Sequence, residues 1–327
     1  MEIKNDLVKN ILVVRNDRFG EFILNIPAFR ALKETFKFAK LSAVVDPSVK
    51  DLAESLPYLD EIIAWGRQRH TPWEKIKLFK LISGKKFDIA VILNPSKEFN
   101  LIAYLARIPV RVGYDRKCAF LLTHKIADKK SLAVKHEVEY NLELTGLIGA
   151  KTDNKTLDLK INKEIIRQVK EKFSLKDLDS LVVLHPWTSD PIKLWPKENF
   201  LQLAKMLIEQ LNLHVLIVGG RENSARAKEG FNLKTDAFID LTGKTSLKEL
   251  AALLSQSKLL VSADSGPVHL ACAVGTPVIA LFRNDILGKS AKRWGPWVGN
   301  NIVIEKNNLA GISVAEVFHQ VREIMKR

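Results

Sequence analysis

The chain has 327 residues, 46% hydrophobic and 27% charged, which excludes a disordered or fibrous protein and, at this length, favours two domains over one core. Lys and Arg total 51 against 37 Asp and Glu, and the net +14 favours polyanionic partners: nucleic acid, anionic lipid or a phosphorylated substrate. No apolar run reaches the roughly 18 to 20 residues of a bilayer crossing and MEIKNDLVKN lacks a signal-peptide core, so the sequence predicts a cytoplasmic chain that does not span a membrane.

Ile11 to Arg15 is a β-branched run that leads through the polar turn Asn16 to Gly20 into a helical pattern ending near Lys37. Further strands begin at Leu41, Glu61, Phe87 and Val110, with helix-period residues between them. Inside this series, Trp65 to Lys86 carries Arg67, Arg69, Lys75, Lys77, Lys80, Lys85 and Lys86 against a single acid, Glu74, and interleaves them with Trp73, Ile76, Leu78, Phe79 and Ile82. Such a segment suits either an anionic membrane surface or a solvated helix packed on the sheet. The lysine-rich stretch Lys151 to Ser180 reads as the linker and places the boundary near residue 165, giving domains 1–165 and 166–327. Asp177 and Asp179 spell D-x-D, but before a strand, where a metal role is disfavoured. A second series of strands then starts at Leu181, His214, Ala237, Lys258 and Thr276, and the last helix, Ser313 to Lys326, is free to pack on either lobe. Strands alternating with helices predict α/β architecture, two doubly wound parallel sheets. Cys118 and Cys272 have no ligand-spaced neighbours and read as reduced structural thiols, so no metal is expected.

In open parallel sheets ligands bind beyond the carboxyl ends of strands. Ser262 to His269 (SADSGPVH) is such a strand-to-helix turn: Asp264 or Ser265 can cap the helix, Gly266 lets a ligand approach, Pro267 fits the first turn, and the free amides suit a pyrophosphate. His269, one turn further in, is a donor contact or a packed core histidine. After Leu181–Pro186, the residues Thr188, Ser189 and Lys193 set hydroxyls and an ammonium where a departing phosphate needs neutralising, and Lys193 is the chosen catalytic cation. Glu222, after Gly219–Gly220, can accept ribose hydroxyls or only stabilise a helix start. There is neither a G-x-G-x-x-G nor a P-loop signature. At the first strand end, Glu21 is the candidate general base, with Asp17 its competitor, and Arg15, Arg18 and Asp17 are assigned to an acceptor. Nucleic-acid binding rests on charge alone, with no motif beside it.

Together, Arg15, Gly20, Pro27–Lys33 (PAFRALK), H-P-x-x-S-x-P-x-K-x-W-P from His185, G-G-x-E, D-S-G-P-x-H-L-A from Asp264, H-E-V-E-Y-N-L from His136 and R-W-G-P from Arg293 resemble glycosyltransferase family 9, the lipopolysaccharide heptosyltransferases, collinearly over nearly the whole chain. The resemblance implies a GT-B fold of two Rossmann-like domains facing a cleft and inverting, metal-independent transfer from ADP-heptose to a lipopolysaccharide core or related glycolipid. It implies no cofactor beyond the donor substrate, and an enzyme peripheral to the inner face of the cytoplasmic membrane. By position, Thr188 and Lys193 would hold the diphosphate, Glu222 the ribose, and Asp264, Ser265 and Gly266 the sugar and phosphate side. The family's catalytic aspartate falls at Glu21, and Arg283-Asn284 stands where glycine and small polar residues are common. A family member using another nucleotide sugar or acceptor, or a sugar-nucleotide-binding protein with weakened catalysis, are the alternatives these two departures raise.

Overall fold

The computed structural model describes residues 3–175, 180–228, 231 and 233–326. The D-x-D pair at Asp177 and Asp179 lies outside the described residues. The chain divides into two units, Met1–Thr156 and Leu157–Arg327. The division precedes the expected boundary near 165 because the segment after Thr156 already belongs to the second unit: Leu157 and Leu159 are buried, and the Leu159 amide donates to the Ala273 carbonyl at 2.8 Å. The lysine-rich stretch read as linker holds a helix at Lys163–Lys172, opened by Asn162, whose side chain accepts from the Glu164 amide. Its buried Val169 is flanked by partly buried Ile165 and Ile166, one narrow apolar stripe among charges.

In the first unit the strands are β1 (Asn10–Arg15), β2 (Lys40–Val45), β3 (Glu61–Ala64), β4 (Ile89–Ile92), β5 (Val110–Tyr114) and β6 (His124–Ile126). The helices are α1 (Phe19–Ile23), α2 (Ile26–Thr35), α3 (Lys50–Ala53), α4 (Pro72–Gly84), α5 (Lys97–Leu105) and α6 (Glu137–Gly146). The sheet order is β3-β2-β1-β4-β5-β6, every pairing parallel. Apolar side chains cover both faces of the central strands, and Ile11 to Val14 are buried without exception, which explains why β1 reads as a continuous apolar run instead of an alternating one.

The second unit begins with α7 (Lys163–Lys172) and repeats the plan: β7 (Leu181–His185), β8 (His214–Ile217), β9 (Phe238–Asp240), β10 (Leu259–Ala263), β11 (Val278–Arg283) and β12 (Ile302–Lys306). Its other helices are α8 (Lys197–Leu211), α9 (Ser224–Lys228), α10 (Leu247–Ser255), α11 (Gly266–Val274), α12 (Ala291–Trp294) and α13 (Val314–Met325). The order β12-β11-β10-β7-β8-β9 is the same winding as in the first unit, all parallel. The last helix packs on this unit: Val317, Phe318 and Val321 join its core with Phe200 and Leu203 of α8. Trp195 is core as well, its indole donating to the Ile312 carbonyl at 2.9 Å and lying edge-on to Phe200. Both cysteines are free, and burial pushes the Cys272 thiol up to about 12. No helix among the described residues is long and apolar enough to cross a membrane.

In each sheet the winding reverses between two central strands, β1 and β4 in one and β7 and β10 in the other, and the carboxyl end of such a switch point is where open parallel sheets bind ligands.

Candidate active site

The first unit presents carboxylates at its switch point. Arg15, the last residue of β1, is 3% exposed; its Nε donates to Asp17 Oδ1 at 2.8 Å and its Nη1 to the carbonyl of Leu93, just past β4, at 3.2 Å. From the opposite side Glu137 Oε1 lies 3.7 Å from Nη2, and Lys130 Nζ donates to the same oxygen at 2.5 Å while sitting 4.5 Å from the centre of the Tyr114 ring. Arg15, assigned to the acceptor by the sequence, thus also holds Asp17 and the β4 end in place. Arg18 is exposed at the N-cap of α1 and Asp17 is half-buried. Glu21 is in the first turn of α1, half-buried; burial above all, then repulsion from Asp17, pushes its carboxyl above the usual range, with Arg15 and Arg18 pulling the other way. A carboxylate that holds its proton more tightly is a better base than one neutralised by a guanidinium. Asn25 fixes the turn by donating to the Glu21 carbonyl at 2.6 Å.

In the second unit β7 and β10 are paired with His185 opposite Ser262, so the two sequence-predicted turns leave the sheet side by side. Lys193 Nζ donates to Asp264 Oδ2 across that join. Burial pushes the Asp264 carboxyl up, against the pull of Lys193. The expectation that Asp264 or Ser265 caps α11 is corrected: Ser265 holds the N-cap position but makes no side-chain cap bond. Its Oγ instead lies 2.8 Å from Ser262 Oγ and 3.2 Å from His185 Nδ1. The start of α11 at Gly266 thus keeps its dipole without a capping side chain, and Asp264, Ser265 and Gly266 are partly exposed. His269 is 4% exposed, one turn inside the helix.

Thr188 Oγ1 accepts from the Asp190 amide at 3.2 Å, and Ser189 beside it is exposed. Two cations that sequence reasoning gave no firm role frame this turn. Lys289 donates to Asp190 Oδ2 at 2.6 Å and holds that carboxyl below its usual range; Arg283 donates to Asp285 at 2.9 Å and to the Ile192 carbonyl at 3.1 Å. The turn carrying Lys193 is thereby fastened at Asp190 and at Ile192. Glu222 is exposed in the turn after β8 and accepts from its neighbour Asn223, at 3.2 Å.

Sequence reasoning also missed a cluster behind Gly219. A Cβ at this glycine would stand 2.3 Å from Trp187 Cδ1 and 3.1 Å from Thr242 Cγ2, so the glycine is demanded by the indole packed over it. Trp187 Nε1 and Thr242 Oγ1 are both buried and, among the described residues, have no hydrogen-bond partner. Gly219→Ala is expected to lower stability by about 1–3 kcal/mol, seen as a drop in melting temperature, because the indole must move.

A cation, an uncapped helix start and unpaired polar groups at one switch point can bind a nucleoside diphosphate, and a half-buried carboxylate at the other can take a proton. The model of glycosyltransferase family 9 (heptosyltransferase) matches residues 75–317. Lipopolysaccharide heptosyltransferase 2 of Salmonella typhimurium is 25% identical over 286 residues, 83% of this chain and 82% of that protein. The glycosyl transferase family 9 structure from Veillonella parvula superposes with a TM-score of 0.86 at 23% identity, covering 99% of each chain. The E. coli ADP-heptose lps heptosyltransferase II structure gives 0.85 at 22%, covering 97% of this chain and 98% of that one. The fold is GT-B, and the chain belongs to glycosyltransferase family 9 and is a glycosyltransferase.

Proposed function

We propose that the enzyme moves a heptose from ADP-heptose to a hydroxyl of a lipopolysaccharide core or a related phosphorylated glycolipid, inverting the anomeric carbon and using no metal ion. The observation that carries the reading is the pairing of Lys193 with Asp264 beside the uncapped start of α11. Relatives named for heptosyl transfer and ADP-heptose support the donor. In this reading the diphosphate lies against Lys193, Thr188, Ser189 and the Gly266 amide, with Asp264 and Ser265 toward the sugar. Glu222 takes ribose hydroxyls at the nucleoside end. The acceptor oxygen attacks from the face opposite the diphosphate and gives its proton to Glu21. The bond from the anomeric carbon to the diphosphate oxygen breaks, and ADP leaves with the electron pair, its charge met by fixed protein dipoles and Lys193. Arg18, exposed beside Glu21, suits a phosphate of the acceptor.

The test is a thermal-shift series with ADP-, GDP- and UDP-linked sugars followed by an assay of ADP release. ADP-heptose should give the largest upward shift and be consumed at an unchanged rate after chelation. A larger shift with a GDP or UDP sugar would overturn the donor, and a strict metal requirement would overturn the mechanism.

A further inference from the structure

Helix α4 buries little of itself. Leu78 and Ile82 are its buried side chains, whereas the opposite side, at spacings i, i+3, i+4 and i+7, carries Trp73, Ile76, Lys77 and Lys80, all exposed. Trp73 is 74% exposed and Ile76 41%. Glu74, the helix's one acid, is held in a capping box, accepting from the Thr71 amide at 2.7 Å and hydroxyl at 2.9 Å. Lys75 turns the other way, to Glu98 of α5 at 3.8 Å. The outward stripe is therefore a tryptophan and an isoleucine set among two lysines. Helix α5, in contact with α4, continues the character with exposed Leu101, Tyr104 and Leu105.

Solubility alone would place no tryptophan at such a position. Apolar and aromatic groups interleaved with lysines on one helix face match the boundary between phosphate headgroups and acyl chains, where the indole is wet at one edge and apolar at the other. We propose that the α4–α5 face of the first unit docks on an anionic lipid bilayer, Trp73 and Ile76 entering the interface and Lys77 and Lys80 meeting lipid phosphates. The proposal does not depend on which sugar is transferred.

The experiment is co-sedimentation of the full chain, without donor, with vesicles of phosphatidylcholine alone or mixed with phosphatidylglycerol. Binding is expected to the mixed vesicles only and to weaken in ~0.5 M salt. The double variant Lys77→Glu/Lys80→Glu should lower partitioning at least ~20-fold and Trp73→Ser about tenfold. Neither should change the melting temperature or the donor thermal shift, because all three side chains are exposed. Undiminished binding by the variants, or no binding of the wild type at low salt, would overturn the proposal. So would a dimer in sedimentation velocity that Trp73→Ser abolishes in a protein that ignores lipid, which would assign the face to a second copy.

Discussion

Glu21→Gln is expected to reduce transfer about 10³-fold while the thermal shift produced by the donor stays as in the wild type. The substitution keeps the shape and the half-buried setting of the side chain in α1 and removes only its capacity to accept a proton. Because burial and Asp17 raise the Glu21 carboxyl, the wild-type rate should fall on the acid side at a pH above the ordinary glutamate range. Asp17→Asn removes one source of that rise and should move the acid limb to lower pH while activity persists; loss of activity equal to that of Glu21→Gln would make Asp17 the base. Stability changes in the opposite sense to activity. A carboxyl whose folded pKa lies above its unfolded value favours the folded state below the unfolded pKa, and that share is lost as pH rises through the folded pKa. Glu21→Gln should accordingly melt no lower than wild type at pH 8, a readout that separates lost chemistry from lost folding.

Lys193→Ala should cost roughly 10²–10³ in the rate of transfer, by withdrawing the charge that meets the departing diphosphate. It also leaves Asp264, a carboxylate with 11% side-chain exposure, without its cation, and about 2 kcal/mol of stability should go with it. Asp264 is already raised by burial, and losing Lys193 raises it further, so the variant's deficit should grow as pH rises through that carboxyl's folded pKa and shrink in acid. Adding Asp264→Asn to Lys193→Ala removes the stranded charge. Calorimetry should then show recovered stability, with the rate still low; recovery of the rate would mean that Lys193 serves only to neutralise Asp264.

The strands at the middle of each sheet were legible because burial on both faces leaves a run such as Leu181 to Leu184 without polar interruption. The edge strands β6 and β12 were not: His124–Ile126 and Ile302–Lys306 face solvent on at least one side and carry charges where a core strand would have valine. Helix α7 was hidden by its lysines, which sit on the solvated side of one apolar stripe. Among site residues, the turns at Lys193 and Asp264 were readable as strand ends, but their mutual pairing, 71 residues apart, is a product of the β7–β10 register. The same holds for Glu137 and Lys130 beside Arg15, whose charges meet only once the start of α6 is brought to the end of β1. Trp187 carried no sequence signal of its own, and its nitrogen, without a hydrogen-bond partner among the described residues, is visible only in three dimensions.

His185 touches the hydroxyls of both Ser262 and Ser265, and burial pushes its imidazole down to about 4. Throughout the near-neutral range the ring is uncharged, so the serine pair at the start of α11 has one proton inventory and no titrating neighbour in the ring. Whatever bell shape the pH–rate profile has should therefore originate away from this imidazole, and replacing His185 should rescale the profile's height without moving its flanks.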